Sequence, residues 1–331
     1  MSPRRRIYPI FVPHAGCPHD CVFCNQKRIS GSLYPASAET VRSALAALPE
    51  GVGCELAFYG GSFTAIAPAQ QEELLAAAQP FREKGTVESI RVSTRPDAVK
   101  EGSLERLRRF GVETVELGAQ SMSDSVLRAA GRGHTAADTI SAALLVRDHG
   151  FHLILQMMTG LPGSDAQTDI ATARELIALR PDGVRIYPTV VIRDTALETL
   201  WREGKYREHT LADAVAVCAR IVPLFDAAGI PVIRLGLNPT EELSGGAVVA
   251  GAYHPALGEL VRSRILRQKA EVMLCKRKTG AFATLFVSPK DYSAMIGQHR
   301  ENMAYFSDRF PDIRLRVKST DLPAGEIRLG E

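Results

Sequence analysis

No run of apolar residues in the 331-residue chain approaches the roughly 18 that a membrane-spanning helix needs, and no segment repeats or falls to low complexity. A helical span is excluded. Charge of one sign is also missing: 40 Lys and Arg stand against 37 Asp and Glu, leaving +3, too little for a polycation that coats nucleic acid. Any basic patch must be local. Cysteine is scarce, with six in the chain, which argues against a disulfide-stapled scaffold. Arg4-Arg5-Arg6 leads into Ile-Tyr-Pro-Ile-Phe-Val and not into the apolar core and cleavage site of a signal peptide. A cytoplasmic protein with no membrane association is expected. What the chain does have is 45% apolar and 23% charged residues, the composition of a folded protein with a large core.

Short β-rich runs alternate with longer amphipathic ones. Strands are expected at 7–13, 54–59, 89–94, 112–117, 152–158, 183–189 and 230–235. Helices are expected at 37–48, 68–81, 136–149, 167–179 and 211–228. That order predicts an α/β fold with a partial or full parallel (β/α) barrel, whose functional groups gather on the loops after the strands. The texture changes beyond Ser244-Gly245-Gly246. A long helical pattern follows from His254-Pro255, and between Val261 and Lys278 seven Lys or Arg face one Glu, a local +6. The boundary is set at 265/266, giving a barrel over 1–265 and a small α+β domain over 266–331.

Three of the six cysteines, Cys17, Cys21 and Cys24, crowd into eight residues after the first strand. Three thiolates at this spacing can hold three corners of a 4Fe-4S cluster and leave the fourth iron open to a substrate or cofactor. The alternative is structural zinc with His14 or His19 as fourth ligand, although zinc modules usually carry a second ligand pair and none is present. Cys54, Cys218 and Cys275 stand alone in apolar periodic segments and read as ordinary buried thiols.

Cys17-Pro-His-Asp-Cys21-Val-Phe-Cys24 resembles the cluster loop of radical S-adenosylmethionine (SAM) enzymes. In that family the methionine amine and carboxylate of SAM chelate the open iron, and the reduced cluster cleaves the sulfonium to a 5′-deoxyadenosyl radical. The resemblance implies a 4Fe-4S cluster, SAM and an electron donor of the flavodoxin or ferredoxin type. Phe23 would pack the adenine. Gly60 and Gly61, in Phe58-Tyr59-Gly60-Gly61-Ser62-Phe63-Thr64, look like the methionine-binding turn; by themselves they would be a tight strand-to-helix turn. Ser93 and Arg95 end the third strand, where Arg95 would pair with a carboxylate or bridge to Asp97. Gln120 and Ser121 end the fourth, suited to ribose hydroxyls or the SAM carboxylate, or to a buried hydrogen-bonded turn. No residue is assigned a catalytic role.

The wider pattern resembles the Elongator-like radical SAM family, which modifies wobble uridines of tRNA. The motifs are Gly118-Ala-Gln-Ser121, Arg132-Gly-His134-Thr135, Gln156-Met-Met-Thr-Gly-Leu-Pro-Gly163 and Arg185-Ile-Tyr187-Pro-Thr-Val-Val-Ile-Arg193. The similarity runs from about residue 7 to about residue 265 and raises Arg132, His134 and Tyr187 to site candidates. About 65 residues follow the barrel, too few for the acetyltransferase domain of that family, so radical chemistry is expected here and acetyl transfer is not. In the tail, the order of strand 282–287, helix 290–296, loop Gly297-Gln-His-Arg300, helix 301–310 and strand 313–318 resembles a KH-type RNA-binding domain. Arg300 replaces the second loop glycine. Lys276, Arg277, Lys278, Gly297 and Arg300 are therefore candidate RNA contacts; the alternative is a dimerisation or lid module. The expected activity is a radical SAM enzyme acting on tRNA or another RNA. The rivals are an oxidoreductase of the coproporphyrinogen type acting on a small molecule or peptide, and a non-enzymatic metal-containing RNA-binding protein.

Overall fold

The computed structural model describes residues 6–12, 17, 21–25, 36–241, 243–277 and 282–330. His14, His19 and Lys278 lie outside them. The strands of the large unit are β1 (Ile7–Phe11), β2 (Cys54–Tyr59), β3 (Val87–Thr94), β4 (Val112–Gln120), β5 (His152–Thr159), β6 (Gly183–Pro188), the short β7 (Val190–Ile192) and β8 (Val232–Leu235). Strands β1 to β6 and β8 make one sheet in chain order, with every pairing parallel. Because β1 pairs only with β2 and β8 only with β6, the sheet stays open as a curled partial barrel.

Parallel strands covered on both faces read as near-continuous apolar runs, as in β2, where every residue but Tyr59 is buried. Between the strands run helices α1 (Ala38–Ala46), α2 (Pro68–Glu83), α3 (Glu101–Arg109), α4 (Asp124–Ala129), α5 (Ala136–Asp148), α6 (Ala166–Ala178), α7 (Ala196–Arg202) and α8 (Leu211–Ala227). Ser37, Thr135, Asp165, Thr195 and Thr210 each accept a first-turn amide, the role such side chains fill at helix starts. Strand β9 (Val248–Gly251) pairs antiparallel with β7. Among the described residues no helix is long and apolar enough to cross a membrane.

Helix α9 (Leu257–Leu274) runs through the expected 265/266 boundary. Its Leu257 and Val261 pack into the barrel core, while Leu266, Ala270 and Leu274 pack into a second core. That second core lies under β10 (Phe282–Val287), β11 (Arg314–Ser319) and β12 (Ile327–Gly330), a sheet of order β11-β10-β12, together with α10 (Tyr292–Ile296) and α11 (Glu301–Arg309). β10 pairs parallel with β11 and antiparallel with β12, a strand the sequence pattern did not signal. The fully buried carboxylate of Asp291 ties this unit to α9 by accepting from Arg262 Nε, Ser288 Oγ and the Gly325 amide.

Candidate active site

Cys17, Cys21, Phe23 and Cys24 line a cavity of about 1100 Å³ that runs along the inner face of the curled sheet, from strand starts at Glu113 and His152 to the loops after the strand C-termini. The cysteine turn is pinned from both sides. Cys24 N donates to Cys21 O at 3.0 Å, Val22 N donates to Ala130 O at 3.1 Å, and Leu197 N donates to Val22 O at 2.7 Å. Phe23 packs against the buried cluster of Val126, Ala130, Met158 and Leu161, against which Tyr187 packs as well.

Two guanidiniums sit over the thiols. Arg132 donates from Nη1 to Cys21 Sγ at 3.2 Å and from Nη2 to Gly118 O at 2.8 Å. Arg95, only 4% exposed, grips Asp97 in a bidentate pair at 3.0 and 2.7 Å. Burial and the neighbouring Cys21 push the Cys17 thiol up, against the pull of Arg95 and Arg132. Asp97 feels burial too, but the Arg95 hydrogen bond and charge hold its carboxyl below the usual range.

The floor is a buried charge network that crosses four strands. Glu116 accepts from Arg91 Nη1 at 2.7 Å, from Arg185 Nη2 at 3.0 Å and from Tyr59 OH at 3.0 Å, and Glu55 accepts from Arg91 Nη2 at 2.9 Å. Arg185 also donates to Tyr59 OH at 2.7 Å and Tyr187 OH at 3.3 Å. Two arginines and two glutamates balance, which is what lets charges lie this deep. Burial and Glu116 raise the Tyr59 phenol, so it stays a neutral hydroxyl.

The upper wall carries the strand-end groups chosen from the sequence. Gly60, Gly61, Ser93, Arg95, Gln120, Arg132 and Tyr187 all line the cavity. Gly60 has φ +96°, a conformation glycine adopts without strain. Gln120 holds φ +64° at a bulge where β4 slips against β5, and its Oε1 accepts from Gln156 Nε2 at 3.2 Å. A buried non-glycine residue in this region is a strained position of the kind functional sites retain.

Two candidates sit behind that wall. Ser121 spends its hydroxyl on Thr172 Oγ1 at 3.3 Å and on the Ser123 amide at 3.1 Å. His134 is 3% exposed with Nε2 3.1 Å from Ala119 O, and burial together with Arg132 pushes it down to about 4, so it is neutral at pH 7. Lys276, Arg277, Gly297 and Arg300 do not line this cavity. Glu55, Arg91, Glu116 and Arg185 receive no site role from the sequence. Their signal was a lone charge inside an apolar parallel strand, which burial on both faces makes costly unless it is paired.

The site fits a cluster with an attached anionic ligand. Among the described residues no three His, Cys, Asp or Glu side chains are assembled so as to hold a metal ion. The thiols instead share the rim of one large cavity, as a group spanning several corners requires. Beside them, Arg95 Nη1 and Arg132 Nε are buried with no hydrogen-bond partner among the described residues. Orphaned guanidinium nitrogens at a thiol-lined cavity are donors awaiting an acceptor.

The comparisons with known proteins agree with this geometry. The family model described as the Radical SAM superfamily matches residues 11–176, and a Radical_SAM C-terminal domain model matches residues 181–267. The human Elongator complex protein 3 is 33% identical over 179 residues, covering 53% of this chain and 32% of that protein. A tRNA uridine(34) acetyltransferase from Dehalococcoides mccartyi is 28% identical over 250 residues, 70% of this chain and 52% of that one. The chain thus spans about a third to a half of the length of these curated relatives.

Among solved structures, Elp3 of Methanocaldococcus infernus with residues 1–46 deleted superposes with TM-score 0.64 at 23% identity, covering 80% of this chain and 64% of that one. Escherichia coli coproporphyrinogen III oxidase superposes with TM-score 0.53 at 18% identity, covering 68% and 53%. At these identities the structural likeness speaks for the fold. With the family model covering half of the chain and the thiol-lined cavity where the fold puts active sites, the chain belongs to the radical SAM superfamily.

Proposed function

We propose that this radical SAM enzyme modifies an RNA, with tRNA as the first candidate. The observation that carries the chemical half is the pair of orphaned guanidinium nitrogens of Arg95 and Arg132 beside Cys17 and Cys21 in a cavity of about 1100 Å³. Ligand pockets commonly span roughly 300 to 1,000 Å³, so this cavity lies at the large end of that range. When bound, a reduced 4Fe-4S cluster and SAM supply a 5′-deoxyadenosyl radical for hydrogen abstraction.

The chain's own residues do the rest. Cys17, Cys21 and Cys24 would hold the cluster corners, and Arg132 holds Cys21 Sγ in place through its 3.2 Å hydrogen bond. Arg95 turns its free Nη1 toward a carboxylate or sulfide, while Asp97 fixes the guanidinium plane. Gly60 presents backbone where a Cβ would crowd an amine. Gln120 and Ser93 offer polar groups from strand ends at the cavity wall. The paired charges of Glu55, Arg91, Glu116 and Arg185 fix the phenols of Tyr59 and Tyr187. One-electron reduction falls to a flavodoxin- or ferredoxin-type donor, and the cytoplasm is where such a donor, free thiols and tRNA meet.

The RNA half rests on similarity to tRNA uridine(34) acetyltransferases, over 70% of this chain for that of Dehalococcoides mccartyi and 51% for that of Methanocaldococcus jannaschii. Mass spectrometry of total tRNA nucleosides from cells with and without the protein tests it. A nucleoside absent from the deletion strain should return with the parent and not with Cys21→Ser. Identical nucleoside profiles would refute an RNA substrate of the tRNA class.

A further inference from the structure

The basic residues of α9 form the most obvious positive charge in the sequence, yet the fold uses most of them internally. Arg262 pairs with Asp291, Lys269 donates to Gly325 O, Arg267 lies 4.5 Å from the centre of the Tyr305 ring, and Arg277 donates to Phe282 O and Gly330 O. They hold the C-terminal unit in place. In the Gly297 loop the geometry also has an internal cause: a Cβ on Gly297 would sit 3.0 Å from Asn302 N, and buried Asn302 latches the loop to α9 through Ser263. Lys276 and Arg300 stay exposed here, but the continuous open positive face lies elsewhere.

The three-stranded sheet buries one face against α9, α10 and α11, using Ala283, Leu285, Val287, Leu315, Val317 and Leu329. Period-two alternation turns the other residues outward. On that open face the register sets Phe282 opposite Arg314, and Phe286 between Lys318 and Arg328, with Arg316 between the first two pairs. Arg314 lies 5.6 Å from the centre of the Phe282 ring, and Arg328 lies 5.1 Å from that of Phe286. Phe282 is 56% exposed, an unusual setting for a phenylalanine. Gly330 lets the Phe286 ring lie across the neighbouring strand, since a Cβ there would meet the ring edge at 2.7 Å. Among the described residues none of Arg314, Arg316, Lys318 and Arg328 is ion-paired to a carboxylate, and the strands bring no acidic side chain to this face.

We infer that this sheet face binds an unpaired single-stranded segment of RNA, with Phe282 and Phe286 stacking bases and Arg314, Arg316, Lys318 and Arg328 meeting phosphates. Four unpaired cations complement a polyanion and offer nothing to a neutral partner. The exposed ring of Phe282 and the half-buried ring of Phe286, each already beside a guanidinium, single out a polyanion that carries flat π-faces. Four residues apart on one strand, they are separated by about 13 Å, so one run of about three or four splayed nucleotides can reach both. The inference rests on the RNA reading of the active site and moves the contact from the Gly297 loop to the sheet.

The test is fluorescence anisotropy of the full-length protein with a labelled unstructured 12-nucleotide RNA, across a salt series. Circular dichroism is used to show that each variant melts like the parent. Phe282→Ala should weaken binding about fivefold to a hundredfold, the range of one lost base stack. Arg316→Glu with Lys318→Glu should weaken it at least tenfold and lower the salt slope by about 1.4, since each phosphate contact to a single strand is worth about 0.7. Arg300→Glu should change little, and RNA-free SAM cleavage should be unaltered in all of them. Sheet variants that bind as the parent does would overturn the inference, as would an effect confined to Arg300→Glu. Equal affinity for polyglutamate with no loss in Phe282→Ala would mark an acidic-protein surface instead. A parent that binds tRNA but shows no sheet dependence sinks only this inference, whereas a parent that binds no RNA of any kind sinks the RNA reading as well.

Discussion

Removing Glu116 together with Arg185 should damage the fold less than the sum of the two single removals. Glu116 is 2% exposed, and one of its oxygens accepts from Arg91, Arg185 and Tyr59. Glu116→Leu leaves Arg91 paired with Glu55 alone, and Arg185 keeps only phenol oxygens as partners. Breaking one side of a buried ion pair costs about 3 to 5 kcal/mol, while replacing both sides with apolar groups can be nearly neutral. Arg185→Met should also cost several kcal/mol by stripping Glu116 of one of its two guanidiniums. The double variant restores neutrality and keeps Arg91 paired with Glu55, so its loss should fall short of the sum by about 2 to 3 kcal/mol, a coupling expected only between contacting residues. Equilibrium urea unfolding of the metal-free protein and its three variants, followed by far-ultraviolet circular dichroism, measures this. Losses that add to within about 0.5 kcal/mol would show that the charges act independently and that the floor is not a network.

Two further outcomes follow from buried groups. His134 sits near 4 when folded, below about 6.5 for the unfolded residue. The unfolded chain therefore binds more protons between those values, and stability should fall as pH drops from 7 toward 4, by up to about 3 kcal/mol. His134→Asn should remove that part of the pH dependence, visible as a parent-minus-variant difference in unfolding free energy; a difference flat across this range would refute a buried neutral imidazole. Burial pushes the Cys218 thiol up to about 12 and raises Cys54 as well, whereas Cys275 is exposed. Iodoacetamide at pH 8 should therefore label Cys275 and spare the other two in the native protein, and Cys54→Ala or Cys218→Ala should leave the iron content of reconstituted protein unchanged.

Much of the barrel is readable in sequence because a parallel strand covered on both faces is an unbroken apolar run closed by Gly, Ser or Pro. That signal places β1 to β6 and β8 within a few residues. The thiol loop is readable because its three ligands are local. The floor is not: Glu55, Arg91, Glu116 and Arg185 come from four strands up to 130 positions apart, and each alone looks like an interruption of a strand. Ser121 and His134 share motifs with cavity residues, yet the bulge at Gln120 turns Gln120 into the cavity and leaves both behind the wall. The three-residue β7 is shorter than any periodicity can register. In the tail, Arg314-Leu-Arg-Val-Lys shows the alternation of a half-buried strand, but the positive charge of α9 dominates the composition, and only the fold reveals that Arg262, Lys269 and Arg277 have internal partners.

The most direct measurement is of SAM cleavage by the protein reconstituted anaerobically with iron and sulfide, reduced with dithionite and supplied with SAM. The account predicts about four irons per chain, release of 5′-deoxyadenosine and methionine, and loss of both cluster absorbance and cleavage in Cys17→Ser, Cys21→Ser and Cys24→Ser. A parent that loads iron through these three thiols yet forms no 5′-deoxyadenosine above the level of the Cys21→Ser variant would contradict it.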